Sequence, residues 1–543
     1  MGFVRARAIR VISRGSVWIV GSACLLPVFT SPGAGAQQSA SYRDTVLTIQ
    51  QHIQGNDLDG ARALISAALK QYPATGGFEN LLGVVEIQQG NTAGAQQAFS
   101  QAIKHSPKLL SAYLNLARVY MESAGAGPGA SERVEALALY EKVEQLDPHN
   151  AEAAYQEATL LMWDGHYQRS FEQLKKLAPE AHSELRVQSI FCADEVALGH
   201  KEEAARTAAS MAANPDLAEQ DVLSVLPALR MAHRADLIDA LYSAAGERQP
   251  LSASGLRVLG LAQEAEGKRD EARATLERVF AMDATSTAPL VDLARIAIAD
   301  KDYQGALGYL AHARDLKPND AELAYEFGVV CMKMKLLGEA LKAMGEAIKL
   351  APENANYNFG LGTLTAFAQD PSQALPYLAK YHQLRPADAA GTLAMGAAYY
   401  QANNYAAALP YLEKAVEVPS TAASAHYYLG SILRHQGRYD AAIRQLAESV
   451  ALKPDQPDAY AELGQVYMQM QKYPEAEKQL NHAIALDAKC YAANFTLLKL
   501  YARTDDPRRE EQSKRFETIR DKNEEQYTEA MRVIEVRPQG LPE

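Results

Sequence analysis

The sequence predicts an all-α fold, a solenoid of tandem helix-turn-helix hairpins. Two observations carry this: a fixed period of 34 residues, and apolar residues that fall on two helical stripes within each period. Seven consecutive segments begin at Ala253, Thr287, Ala321, Ala355, Ala389, Ala423 and Pro457. The twentieth residue is always alanine: Ala272, Ala306, Ala340, Ala374, Ala408, Ala442 and Ala476. The eighth is small throughout, at Gly260, Ala294, Gly328, Gly362, Gly396, Gly430 and Gly464. Such periodicity marks a stacked array whose units cannot bury their apolar faces alone.

Each unit reads in order as helix, turn and helix. Positions four, seven, eight and eleven share one stripe of the first helix, with Leu259, Leu293, Phe327, Leu361, Met395, Leu429 and Leu463 at position seven. The second helix starts near an aromatic residue (Tyr303, Tyr405, Tyr439 or Tyr473). It carries Leu276, Leu310, Met344, Leu378, Leu412, Leu446 and Leu480 at position twenty-four. Small residues at eight and twenty let the two helices approach while the leucines fill the space around them. Pro318, Pro352, Pro386 and Pro454 stop the second helix because proline lacks the amide proton that would continue it. Asn319, Asp320, Asn354 and Asp455 follow as candidate caps for the next helix.

Upstream the register weakens. Units starting near Ser41 and at Gly76 keep Ala61, Leu82, Gly83, Ala95 and Phe99 in place, and the unit from Leu110 keeps Tyr113, Leu116, Ala117 and Tyr120. That unit gains seven residues in the stretch 123–131, a glycine-rich turn without a preceding strand and so no phosphate cradle. Segments 151–183, 184–217 and 218–252 are helical in pattern but lack most marker residues, so 37–252 reads as irregular repeats and 253–490 as seven regular ones, thirteen hairpins in all. Residues 491–536 read as a half-repeat followed by a charged capping helix from about Pro507 to Val536, and 537–543 as a disordered tail.

The repeat spacing resembles the tetratricopeptide repeat, matched best by Tyr460, Leu463, Gly464, Tyr467, Ala476, Leu480 and Ala483. The family's tryptophan at position four is replaced here by Leu256, Leu290, Ala324, Asn358, Thr392, His426 and Tyr460. The resemblance implies a right-handed superhelix whose first helices line a concave groove, with positions two, five, nine, twelve and thirteen facing into it. On this chain those positions include Tyr325, Val329, Met332, Phe359, Thr363, Ala366, Phe367, Leu393, Ala397, Tyr400, Tyr427, Ser431, Arg434 and His435. The lysine, asparagine and arginine set of the family's carboxylate clamp does not recur. Aromatic and aliphatic side chains dominate instead, which suits an extended or helical peptide with apolar anchors.

The first 36 residues read as an export signal. Arg5, Arg7, Arg10 and Arg14 precede the apolar run from Ser16 to Thr30, and Ala34-Gly35-Ala36 forms an exit site before Gln37. The run falls short of the ~20 residues that span a bilayer, so a cleaved signal is expected rather than a permanent anchor. Cleavage would remove four arginines and no acids, taking the net charge from −12 to −16. An acidic chain of this kind repels phosphate backbones and anionic lipid heads, which argues against nucleic acid and membrane surfaces as partners. Cys192, Cys331 and Cys490 are widely spaced and frame neither a disulfide scaffold nor a zinc site. His382, His426 and His435 lie on helices without metal-ligand companions. No nucleophile elbow, zinc-protease motif or phosphate loop is present, so no catalytic residue, metal or cofactor is expected. The expected function is a non-enzymatic protein-interaction scaffold, periplasmic or secreted. A chaperone-like or polysaccharide-export accessory of the cell envelope is the alternative.

Overall fold

In the computed structural model, which describes residues 34–123, 131–368 and 371–530, the 34-residue period resolves into pairs of antiparallel helices. Two compact units are present, Met1–Ala272 and Arg273–Glu543. In the first lie α1 (Ala34–Gln54), α2 (Leu58–Gln71), α3 (Gly76–Gln88), α4 (Thr92–His105), α5 (Leu110–Ser123), α6 (Ser131–Leu146), α7 (Ala151–Trp163), α8 (Tyr167–Leu174), α9 (Leu185–Ala197), α10 (Lys201–Ala213), α11 (Glu219–Met231), α12 (Ala235–Arg248) and α13 (Ala253–Ala265). The boundary falls within α14 (Arg269–Met282). The second unit holds α15 (Ala288–Ala299), α16 (Tyr303–Leu316), α17 (Ala321–Lys333), α18 (Leu337–Leu350), α19 (Ala355–Ala368), α20 (Leu375–Leu384), α21 (Ala389–Gln401), α22 (Tyr405–Val416), α23 (Pro419–His435), α24 (Tyr439–Leu452), α25 (Pro457–Gln469), α26 (Tyr473–Leu486), α27 (Tyr491–Arg503) and α28 (Arg509–Ala530). No strand occurs among the described residues.

The small residue at position eight has a specific steric cause. A Cβ placed on Gly328, Gly362, Gly396, Gly430 or Gly464 would lie 2.5–2.8 Å from the position-24 side chain of the same hairpin (Met344, Leu378, Leu412, Leu446 or Leu480). Gly83 meets Phe99 in the same way, at 2.5 Å. That is well inside the ~3.5–4.0 Å of ordinary carbon contact, so the large residue occupies the volume the glycine vacates. The alanines at position twenty are fully buried beside it. This pairing sets how closely the two helices of a hairpin pack.

The turns are closed by backbone in the left-handed region. Gly267, Lys301, Lys335, Asn403, Gly437 and Gln471, each at position fifteen, have φ between 59° and 81°. At Lys335 the next amide, Leu336 N–H, donates back to Cys331 O at 2.9 Å, and Lys335 N–H donates to Met332 O at 3.0 Å. These bonds satisfy carbonyls that the end of the first helix leaves unpaired. Four of the six positions carry a side chain despite the steric cost of this conformation.

Helix ends follow the sequence in most places. The helices α16, α18, α20 and α24 each stop two residues before the expected proline. Asp320 accepts from the amides of Glu322 (3.0 Å) and Leu323 (3.3 Å), and Asn354 from those of Asn356 (3.0 Å) and Tyr357 (3.3 Å). Asn319 and Asp455 do not take the capping position. Asp320 holds it for α17, and Gln456 holds it for α25 without a side-chain bond, since Pro457 opens that helix. The charged helix α28 is seen from Arg509 to Ala530. The glycine-rich stretch at 124–130, residues 1–33 and the tail 537–543 lie outside the described residues, and Ala34–Ala36 falls in the first turn of α1.

The degenerate middle segments form hairpins too, with buried carboxylates among their packing positions. Glu157 occupies the seventh position counted from Ala151 and is 1% exposed. It accepts from Gln173 Nε2 at 2.5 Å. Burial, reinforced by Glu144, pushes its carboxyl up to about 7. Asp194 in α9 is fully buried, and burial pushes it up to about 8. These polar substitutions explain why the apolar marker pattern fades there while the helical period survives.

Candidate peptide-binding groove

The groove candidates of the second unit lie on four successive first helices, α17, α19, α21 and α23. Helix periodicity places Tyr325, Val329 and Met332 on one face of α17, and Phe359, Thr363 and Phe367 on the matching face of α19. Of the ten principal candidates only Phe367 is fully exposed, at 76%. Tyr325, Val329, Met332, Phe359, Thr363, Leu393, Tyr400, Tyr427 and Arg434 are half-buried. The expectation of a row of exposed anchors therefore reduces to one projecting ring over a half-covered apolar floor.

The packing of that floor is aromatic. Tyr325 stacks near Tyr357 with ring centroids 4.6 Å apart, and Phe359 lies 4.7 Å from Tyr381. Tyr400 touches Tyr405 at 5.7 Å and Tyr428 at 5.2 Å, and Tyr428 in turn meets Tyr427 at 5.1 Å. His435 stacks on Tyr405 at 5.2 Å. Pairs at these separations contribute ~0.5–1.5 kcal/mol beyond their area, so the rings hold adjacent repeats together as well as lining a surface. Burial raises the hydroxyl pKa of Tyr400, Tyr427 and Tyr428, and burial together with Arg434 lowers the imidazole pKa of His435. Position-by-position reading selected Tyr400 and Tyr427 but passed over Tyr357, Tyr381 and Tyr428. For Tyr428 the signal was the tyrosine pair at 427–428, whereas Tyr357 and Tyr381 stand outside any such pair.

Arg434 is engaged within the chain. Its Nε donates to Glu462 Oε2 at 2.6 Å and its Nη2 to Glu462 Oε1 at 3.4 Å, a bidentate pair linking α23 to α25, with both side chains 10% exposed. Thr363 Oγ1 donates to Phe359 O at 2.9 Å and so serves its own helix. His426 pairs with Gln445 at 2.6 Å and His382 lies edge-on to Tyr411 at 5.8 Å. All three described cysteines are free and buried, and burial pushes the thiols of Cys192 and Cys331 up to about 12. Such thiols are poor nucleophiles. Among the described residues no group of three or more His, Cys, Asp or Glu could hold a metal ion. No helix among them is long and apolar enough to cross a membrane.

Stacked helical hairpins with a half-covered aromatic face define a protein–protein interaction scaffold. The chain carries tetratricopeptide repeats: two models of that family match it, one at residues 49–109 and 393–457, the other at 297–358 and 433–501. Among solved structures it is similar to the Cut9–Hcn1 hetero-tetramer of the APC/C, at 14% identity over 84% of this chain and 96% of that one, with a TM-score of 0.36. It is also similar to yeast Tom70, at 14% identity over 82% and 93% with a TM-score of 0.33. A third likeness is to the MamA protein, at 24% identity over 31% and 92% with a TM-score of 0.27. No curated protein matches it.

Proposed function

We propose that this chain is an exported, non-enzymatic adaptor of a bacterial envelope that holds a polypeptide segment of a partner protein against α17, α19, α21 and α23. One observation carries the binding part. Apolar residues at corresponding positions of four successive first helices remain partly exposed, with Phe367 projecting furthest. Contiguous apolar surface of this kind marks a partner site. Export rests on the arginine-rich start, the short apolar run and Ala34-Gly35-Ala36.

The binding test places a photoreactive phenylalanine at Phe367 and, as a control, at Leu350, which is 43% exposed at the end of a second helix. Polypeptide adducts from envelope extract at 367 and not at 350 support the reading, and Phe367→Ala should weaken capture of the same polypeptide about tenfold, the effect of ~1.4 kcal/mol. Equal adducts at both positions, or none at 367, count against it. Export is tested by sequencing the amino terminus of the native protein: a start at or near Gln37 is expected, and an intact Met1 on soluble protein would end that part of the proposal.

A further inference from the structure

The helix α28 begins as the second helix of a hairpin and ends elsewhere. Its first half packs on α27: Gln512 Nε2 donates to Asn494 O at 3.0 Å and to Asn494 Oδ1 at 3.1 Å. The Phe516 ring lies 5.1 Å from Phe495 and 5.0 Å from Tyr491, and Ile519 is buried beside it. After Ile519 every side chain to Tyr527 is exposed. At the far end, however, the Tyr527 hydroxyl donates to Ala368 O at 2.7 Å, a residue 159 positions earlier at the end of α19. Ala368 directly follows Phe367 and carries one of the carbonyls that a helix end leaves unpaired.

The path of this helix follows from its length. Fifteen residues separate Gln512 from Tyr527, a rise of about 22 Å at 1.5 Å per residue. Between α27 and α19 stand the first helices α25, α23 and α21. Four steps at the 8–10 Å spacing of packed helices make a contour of about 32–40 Å. A rod of about 22 Å joins those ends only as a chord across the inner side of a curved array. That chord leads past α21 and α23, the helices that carry Leu393, Tyr400 and Tyr427.

We propose that the distal half of α28 is an internal strap over this groove, which has to lift before the groove takes a partner polypeptide. This rests on the groove reading above and adds its regulation. The strap is lightly held: from Arg520 to Gln526 its turns, with Arg520, Asp521, Lys522, Glu524 and Glu525, are exposed and bury no apolar side chain. Segments with few buried contacts open at low cost, as a gate must.

Two measurements test it. In the isolated full chain, a photoreactive phenylalanine at Phe367, which leaves the Tyr527 hydroxyl in place, should crosslink within the same molecule to the peptide holding Tyr527; no such crosslink overturns the strap. With the photoreactive group at Phe367, the yield of partner adduct should rise about fivefold in Tyr527→Phe, the factor one neutral hydrogen bond carries. Truncation after Arg520, which keeps Phe516 and Ile519 as the cap, should raise it at least as far. Equal yields in full-length, Tyr527→Phe and truncated protein overturn the strap and leave the groove standing. No adduct in any form removes the groove reading and the strap with it.

Discussion

Replacing Gly430 with alanine should destabilise its hairpin, although alanine is the better helix former. A Cβ there would stand 2.6 Å from Leu446 Cγ and 2.8 Å from its Cδ2, with Ala442 O at 3.3 Å. Ordinary carbon contacts lie at ~3.5–4.0 Å, so Leu446 has to retreat by about 1 Å into a filled core. Overpacking of this size costs ~1–3 kcal/mol. The gain in helix propensity offsets about 0.8–1 kcal/mol, leaving a net loss near 1 kcal/mol. Gly308 in α16 supplies the control, since nothing lies within 4 Å of its added Cβ and the same substitution should stabilise by ~0.8–1 kcal/mol. Adding Leu446→Val to Gly430→Ala should recover part of the loss. Because repeats couple chiefly to their neighbours, no single unfolding energy describes the array. Hydrogen exchange resolved by peptide is therefore the suitable assay. Exchange should quicken about fivefold in α23 and α24, with α1–α6 unchanged, and slow in α15 and α16 for the control. If Gly430→Ala stabilised as much as Gly308→Ala, the account of position eight would be wrong.

Other consequences can be measured on the same array. Lys335→Gly should stabilise the α17–α18 turn by ~0.5–1 kcal/mol, because the left-handed cost of a side chain exceeds the added chain entropy of glycine; a loss in denaturant melts would contradict this. Burial holds Asp194 neutral in the fold, so its destabilising charge is absent below the unfolded aspartate pKa of ~3.9 and grows as pH rises to about 8. Asp194→Asn should thus protect α9 and α10 at pH 8 relative to the parent and converge with it near pH 4; parallel pH profiles would sink the assignment. Arg434→Ala strands Glu462 without its cation and should cost ~3–5 kcal/mol locally, whereas Arg434→Met with Glu462→Met should recover most of it. Exchange in α23 and α25 that does not recover in the double variant would show that the pair is not what links them.

The period of 34 residues by itself determined the hairpins, their order and the residues that pack within each one. The reason is local: position eight meets position twenty-four of the same unit, so every repeat states the contact again in the sequence. The stops before Pro318, Pro352, Pro386 and Pro454 are likewise local, as are the caps at Asp320 and Asn354. Where one repeat meets the next, the sequence said less. Tyr400 carries a groove position, yet its ring is spent partly on Tyr428 of the next repeat, and Arg434 is taken up by Glu462. Which side chains stay free depends on partners about one repeat away, whose identity varies from unit to unit. The carboxylates of Glu157 and Asp194 show the same dependence, since burial by neighbouring helices sets their ionisation. The contact of Tyr527 with Ala368 lies beyond any periodic reading. It arises from the curvature summed over the intervening hairpins, a quantity that no single repeat contains and only the assembled array decides.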